Sequence, residues 1–91
     1  MKYEIRYSKL IDWKRFAKLP RKDKERIKTA IERKLTSRPE IFGKPLRQSL
    51  SGCRSLRVGD YRIVFRIDEM TVHILLFGHR STIYGDSEGV L

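Results

Sequence analysis

Three runs of alternating side chains, separated by two turn-forming sites, occupy residues 55–80 and restrict this part of the chain to an antiparallel sheet. The first turn lies at Gly59-Asp60, where glycine adopts the backbone conformation of a two-residue hairpin loop at no steric cost. A second turn within residues 68–71 joins the run at 63–67 to the run at 72–78. The stretch therefore predicts a three-stranded antiparallel meander.

The two turns also predict how the strands pair. Arg57 lies opposite Arg62 across the first turn, and the second turn pairs Ile63 with Leu76 and Arg62 with Phe77. Because side chains alternate between the faces of a sheet, one face is wholly apolar and is the predicted core face: Leu56, Ile63, Phe65, Ile67, Val72, Ile74 and Leu76. The other face, called the mixed face below, carries Ser55, Arg57, Arg62, Val64, Arg66, His73, Leu75, Phe77 and His79.

The mixed face places Arg57 and Arg62 directly opposite each other, where like charges repel. A sheet keeps such a pair most readily when an anion, often a phosphate, lies between the two guanidinium groups. Alternatively, the two side chains splay apart into solvent. The alternation of the strands is compatible with both interpretations.

The chain carries 21 Lys and Arg against 11 Asp and Glu, so its formal net charge is +10. This charge points to an anionic partner, which is nucleic acid, an acidic protein or both. Residues 1–37 hold thirteen basic and five acidic side chains, whereas residues 38–91 hold eight and six. Seven of these eight are Arg, whose planar fork suits defined phosphate contacts. We therefore expect general attraction from the first part and specific contacts from the second.

The N-terminal part predicts one strand followed by two helices. Residues 2–7 alternate as a short strand, and residues 9–18 have helical apolar spacing, with Ser8 as the cap and Pro20 as the stop. A helix over residues 21–36 has a narrow apolar stripe: Ile27, Ala30, Ile31 and Leu35. Its basic outer face either contacts nucleic acid or is solvated, and we favour solvation.

Residues 39–52 form a linker-like stretch with two Pro and two Gly. It contains Lys44 and Arg47, which are candidates for the rim of the mixed face. The predicted fold class is α+β, with an N-terminal strand, a two-helix hairpin packed on the core face of the meander, and an open basic face. Residues 1–91 are expected to form a single domain.

Composition argues against several classes of protein. No apolar run approaches the length of a membrane span, and the N-terminus lacks the apolar region of a signal peptide. The single cysteine, Cys53, has no partner for an internal disulfide, and no Cys/His cluster has zinc spacing. We therefore expect a cytoplasmic protein that needs no metal or cofactor.

Two motifs resemble those of one known family. Residues 55–65, which read SLRVGDYRIVF, are similar to the LRxGxYR hairpin of the RelE/ParE superfamily of toxin–antitoxin toxins. Gly78-His79-Arg80, followed by Ile83-Tyr84, resembles the closing GxR…Y segment of that superfamily. The resemblance covers nearly the whole chain, and the order of strand, helix hairpin and meander agrees with it.

The resemblance implies a cytoplasmic toxin, closest to the RelE-like mRNA interferases, that inhibits translation by cutting mRNA in the ribosomal A site. It also implies a small acidic RelB-like antitoxin that wraps around the toxin and inactivates it. Carried over by position, it implies catalytic roles for Arg62, Arg80 and Tyr84. Ser55 departs from the family pattern, because the more active RNA-cutting members carry a basic residue there.

Further site residues follow from chemistry and position. Arg62 and Arg80 are expected to stabilise the pentavalent phosphate, while Tyr84 stacks on a base or donates a proton. Histidine titrates near neutral pH, so His79 is the candidate general acid or base, unless it is a strand-end residue with no role. The predicted RNA contacts are Arg57, Lys44, Arg47 and Arg54, although alternation turns Arg54 to the other face.

Two other functions remain open. Ser55 in place of a base favours a ParE-like toxin that poisons DNA gyrase without cutting RNA. A catalytically weak relative would act mainly as an antitoxin-bound component of a repressor. For the antitoxin itself, the mixed face offers apolar contacts at Val64, Leu75 and Phe77 and a polar rim that includes Arg66.

Overall fold

The computed structural model describes residues 2–45 and 52–79, which form helices on a five-stranded sheet. The strands are β1 (Glu4–Tyr7), β2 (Lys44–Pro45), β3 (Arg54–Val58), β4 (Tyr61–Asp68) and β5 (Thr71–His79). The helices are α1 (Trp13–Ala17), α2 (Arg21–Ala30), which continues as a π-helical turn over Ile31–Leu35, and α3 (Pro39–Phe42). None of the helices in the two described ranges is long and apolar enough to cross a membrane.

The strand order in the sheet is β1-β5-β4-β3-β2. β3, β4 and β5 form the predicted antiparallel meander, and the two residues of β2 pair antiparallel with β3. β1 lies parallel to β5, with Ile5 beside Val72. The α+β class is thus confirmed, but the sheet has five strands where the sequence predicted a three-stranded meander and an N-terminal strand.

Both turns of the meander are two-residue loops. Val58 pairs with Tyr61 across the first turn, which is the predicted register. Gly59 has φ of 61°, a left-handed conformation that glycine adopts without strain. Asp68 pairs with Thr71 across the second turn. Tight turns therefore hold the three strands in a defined alignment.

A β-bulge in β5 changes the register predicted for its second half. The pairing agrees with the prediction from the turn up to Phe65, after which β5 contains one residue, Leu75, without a partner on β4. Beyond it, Ile63 pairs with Phe77 rather than with Leu76. An extra residue turns the side chains that follow to the opposite faces, so the predicted faces of Leu76 and Phe77 are wrong.

The core lies between α2 and the predicted core face of the sheet. The apolar stripe predicted for the second helix is buried, because all four of its residues are at most 6% exposed. They pack with five residues of the sheet: Leu56, Ile63, Phe65, Val72 and Ile74. The residues at helical spacing and the alternate residues of the strands thus pack together in one core.

α1 is shorter than predicted, and its apolar side chains are mostly at the surface. Asp12 caps it in place of Ser8, by accepting a 3.0 Å hydrogen bond from a backbone N–H of the first turn. Trp13 is 48% exposed, and Leu10, which belonged to the predicted helix but precedes α1, is 89% exposed. Trp13 packs edge to face on Phe77, with ring centroids 5.8 Å apart.

Part of the predicted linker is regular structure. α3 begins at Pro39, which is buried and suits the first position of a helix. Gly43 joins α3 to β2, and its backbone lies against the ring of Phe65 so closely that a Cβ atom would overlap the ring. This contact ties α3 to the centre of the sheet.

Candidate nucleic-acid interface

Arg57 and Arg62 lie opposite each other on β3 and β4, as the hairpin predicts. The residues that flank a two-residue loop form a hydrogen-bonded pair, so the next pair, Arg57–Arg62, is a non-hydrogen-bonded one. Residues in such pairs approach each other most closely, with Cα atoms about 4.5 Å apart. The two arginine side chains therefore leave the backbone side by side on the mixed face.

The Arg57 side chain is held at the hairpin turn. Its Nε donates a 3.2 Å hydrogen bond to the carbonyl of Gly59. This bond directs the exposed guanidinium along the strand toward the turn. The turn thus fixes one of the two guanidinium groups of the pair.

Arg62 is partly buried and pairs on its other side with Gly78 of β5, rather than with the predicted Phe77. Glycine has no side chain, so position 78 adds nothing that would cover the mixed face beside Arg62. An anion that contacts Arg62 is therefore not obstructed from this position. The bulge creates this arrangement by shifting β5 one residue along β4.

His79 lies on the face opposite to Arg62, and the prediction that both share the mixed face is wrong. His79 pairs with Tyr61, whose side chain turns to the helix side of the sheet. The two rings meet edge to face, with centroids 5.8 Å apart and planes at 82°. The extra residue at Leu75 is the cause, because it exchanges the faces of all later residues of β5.

Tyr61 lies close to α2. Its hydroxyl is near the carboxylate of Asp23, to which it can donate a hydrogen bond. Burial, this hydrogen bond and the negative charges of Asp23 and Asp60 raise the pKa of Tyr61 above its usual value. The sequence does not predict this contact, because Asp23 and Tyr61 belong to separate elements and no local pattern joins them.

Arg54 faces the helix side, as alternation predicts, and it secures α3. Its Nη1 donates hydrogen bonds to the carbonyls of Glu40 at 3.1 Å and Gly43 at 2.9 Å. These carbonyls belong to the C-terminal turn of α3, which the helix itself leaves without partners. The geometry therefore favours a structural role for Arg54 over the predicted RNA contact.

Lys44 is exposed and pairs with Ser55, a mixed-face residue. It therefore lies on the outer edge of the mixed face, for which the sequence made it a candidate. Ser55 itself has no ionisable group. The remaining predicted site residues, Arg80, Tyr84 and Arg47, lie outside the described residues, and their roles stay predictions.

The predicted antitoxin contacts do not form one surface. Val64 is only 2% exposed, which leaves it almost no area for a partner. Phe77 lies on the helix side against Trp13. Leu75 occupies the bulge and is partly buried, and Arg66 is exposed. Of the four residues, Arg66 alone is both exposed and on the mixed face.

Comparison with known proteins agrees with the motifs in the sequence. The family model of the ParE toxin of the type II toxin–antitoxin system parDE matches residues 5–84. Two toxins from Mycobacterium tuberculosis (strain ATCC 25618 / H37Rv) match over 52 residues: RelG with 48% identity and RelE with 44% identity. These matches cover 55% of this chain, but only 60% of RelG and 54% of RelE.

Solved structures share the fold. The toxin–antitoxin complex RelBE2 from Mycobacterium tuberculosis has 34% identity and a TM-score of 0.78, covering 88% of this chain and 100% of the other. A free-state mutant of the E. coli toxin RelE has 23% identity and a TM-score of 0.72, covering 99% and 96%, and it supports the fold alone. Because the family model spans most of the sequence, this chain belongs to the ParE toxin family of type II toxin–antitoxin systems and has the RelE-like fold.

Proposed function

We propose that this protein inhibits translation as a ribosome-dependent endoribonuclease that cuts mRNA in the A site. A RelB-like antitoxin neutralises it in the cytoplasm by forming a hetero-oligomer. The Arg57–Arg62 pair carries the proposal, since two arginine side chains that leave the sheet side by side can contact neighbouring phosphates of one phosphodiester backbone. Family membership and the relatives named RelG and RelE support the RelE-like activity.

The reaction needs no metal when the 2′-hydroxyl of the RNA is the nucleophile. That oxygen loses its proton and attacks the adjacent phosphorus, while the bond from phosphorus to the 5′ oxygen breaks and that oxygen gains a proton. The products are a 2′,3′-cyclic phosphate and a 5′-hydroxyl. Charge builds on the non-bridging oxygens in the transition state, and Arg62 stabilises it from the mixed face. Arg57 and Lys44 hold neighbouring phosphates.

His79 is the proposed general acid or base, because an imidazole can both accept and donate a proton. It ends β5, directly after the Gly78 that pairs with Arg62, but its ring lies on the helix side against Tyr61. The role of His79 is therefore proposed from its residue type and its place at the end of β5, and the geometry supports Arg62 more directly. Arg80 and Tyr84 are proposed as a second phosphate contact and a stacking residue, on the resemblance alone.

A translation extract tests the proposal. The wild type is expected to cut mRNA at codon boundaries and to leave ribosome-free RNA intact. Arg62→Ala should lower the cleavage rate by about 10² or more, because removing a donor to developing charge has an effect of about that size. Arg66→Ala is the matched control, since Arg66 is exposed on the same strand and the same face and should cleave at the wild-type rate.

A second candidate is a ParE-like toxin that poisons DNA gyrase. Two observations favour it: Ser55 on the mixed face has no group to move a proton, and the matching family model is described as a ParE toxin. Intact message in the extract together with inhibited gyrase would replace the endoribonuclease proposal. Intact message with active gyrase would instead favour a catalytically weak relative that acts with its antitoxin as a repressor component.

A further inference from the structure

A groove between α2 and the hairpin end of β3 has basic side chains on both walls. Its cations are Lys22, Arg26, Arg33 and Lys34 on the helix side and Arg57 on the strand. Ala30 and Val58 add apolar surface between them. This α2–β3 groove thus combines a basic rim with an apolar lining.

The positive charge of the groove is not balanced. Glu25 lines it too, but its Oε1 is bound to the Nε of Arg21 at 3.2 Å. None of the five cations forms an ion pair within residues 2–45 and 52–79. The Nη1 of Arg26 lies 3.5 Å from the place that a Cβ of Gly59 would take, so the charge reaches from the helix to the hairpin turn. The groove therefore attracts an anionic occupant.

β3 presents an open edge to this groove. β2 pairs only with Arg54 and Ser55, so in the described part of the chain no strand lies beside Leu56, Arg57 and Val58 on that edge. The alternation of an antiparallel hairpin turns the N–H and C=O groups of Leu56 and Val58 to β4 and those of Arg57 outward. An extended peptide can therefore pair with Arg57 in the manner of an added strand.

We propose that the α2–β3 groove binds an acidic, extended segment of the antitoxin, which pairs with the Arg57 backbone and points alternate carboxylates at α2. From Lys22 to Arg33 the helix rises about 16 Å, which matches about five extended residues. Single-stranded RNA fits less well, because proteins hold it by stacking bases on aromatic rings and no aromatic side chain is among the lining residues described. The inference rests on the proposed antitoxin and not on RNA cleavage.

Fluorescence anisotropy with a labelled peptide of alternating Glu and Val, about eight residues long, tests the proposal. The variant Lys22→Gln, Arg26→Gln, Arg33→Gln should bind it at least about tenfold more weakly than the wild type. The matched control is Lys9→Gln, Lys14→Gln, Lys18→Gln, which removes the same charge from exposed positions near α1 and should bind within about twofold of the wild type. Equal losses of peptide affinity in both variants would mean that the peptide binds by general charge attraction, and this result would overturn the proposal.

Two more readouts separate the alternatives. Amide hydrogen exchange at Arg57 should slow when the peptide binds, and unchanged exchange there would contradict strand addition. In the translation extract, the groove variant should cut mRNA as the wild type does. If the groove variant lost cleavage but still bound the peptide, the groove would be a binding site for RNA and the proposal would be overturned. A wild type that cuts no mRNA would refute the endoribonuclease and leave the peptide result unaffected.

Discussion

Tyr61 and Arg62 are neighbours on β4 that serve opposite faces of the sheet. Arg62 lies beside Arg57 on the mixed face, whereas Tyr61 contacts Asp23 and His79 on the helix side. Substitutions at the two positions therefore test different contacts. A change at Arg62 tests the contact with RNA, and a change at Tyr61 tests the link between β4 and α2.

The protein should lose stability at alkaline pH, because Tyr61 titrates at a higher pH in the folded state than in the unfolded state. An unfolded tyrosine loses its proton at about pH 10, but the raised pKa of Tyr61 keeps the folded phenol neutral to higher pH. The unfolded state then binds fewer protons, so the free energy of unfolding falls as pH rises from about 10 through the folded pKa. Tyr7 adds to this trend, because its partial burial and then the charge of Glu32 raise its pKa as well.

Urea unfolding between neutral pH and pH 11 measures this effect. Tyr61→Phe should lose less stability above about pH 10 than the wild type does, because it has one titrating phenol fewer. Asp23→Asn keeps the phenol but removes the acceptor charge, so its pH dependence should be intermediate. If all three proteins showed the same dependence, the hydrogen bond from Tyr61 to Asp23 would not control that titration.

The sequence allowed the Arg57–Arg62 pair to be predicted, because Gly59 in a two-residue loop determines which residues of the flanking strands meet. His79 could not be placed in the same way. Its face depends on the extra residue at Leu75, which lies earlier in β5. Prediction of side-chain position thus succeeds close to a turn and fails beyond an irregularity.

At the scale of elements, the bulge in β5 escaped prediction for a physical reason. Ile74, Leu75, Leu76 and Phe77 are all apolar, so either register places apolar side chains on both faces. Alternation can reveal an extra residue only where polar and apolar side chains change places. The apolar run therefore conceals the irregularity in the sequence.

The junction of α3 and β2 should be sensitive to a single methyl group. Gly43→Ala places a Cβ atom against the edge of the Phe65 ring, closer than two carbon atoms can approach, and that ring is fully buried. We expect a loss of about 1–3 kcal/mol in the free energy of unfolding, as overpacked cores show. Urea denaturation gives this value directly.

A double-mutant cycle separates the overlap from other effects of the alanine. Phe65→Leu removes the ring, so Gly43→Ala should cost less stability in that background than in the wild type. Strictly additive losses would mean that the ring of Phe65 is not what excludes a side chain at position 43.

At the scale of the whole molecule, the core was predictable because two periodicities agree on it. The stripe on α2 has helical spacing, the facing strands alternate, and both sets are buried. The place of β1 was not predictable in this way. Residues 2–7 indicate a strand, but its parallel pairing with β5 depends on a contact between the two ends of the described chain.

Paired leucine substitutions test where the core lies. Leu35 is 0% exposed on the π-helical turn, so Leu35→Ala should lower the free energy of unfolding by about 2–5 kcal/mol. Leu10 is 89% exposed, and Leu10→Ala should change it by no more than about 0.5 kcal/mol. Similar losses in the two variants would show that Leu10 packs on the core, which would contradict its exposure.

The central claim is that the mixed face acts on an RNA phosphate through Arg62, and single-turnover cleavage on purified ribosomes measures this most directly. At saturating toxin the wild type should cut the A-site codon, Arg66→Ala should match its rate, and Arg62→Ala should be slower by about 10² or more. Cleavage by Arg62→Ala at the wild-type rate, or an equal loss in Arg66→Ala, would contradict the account.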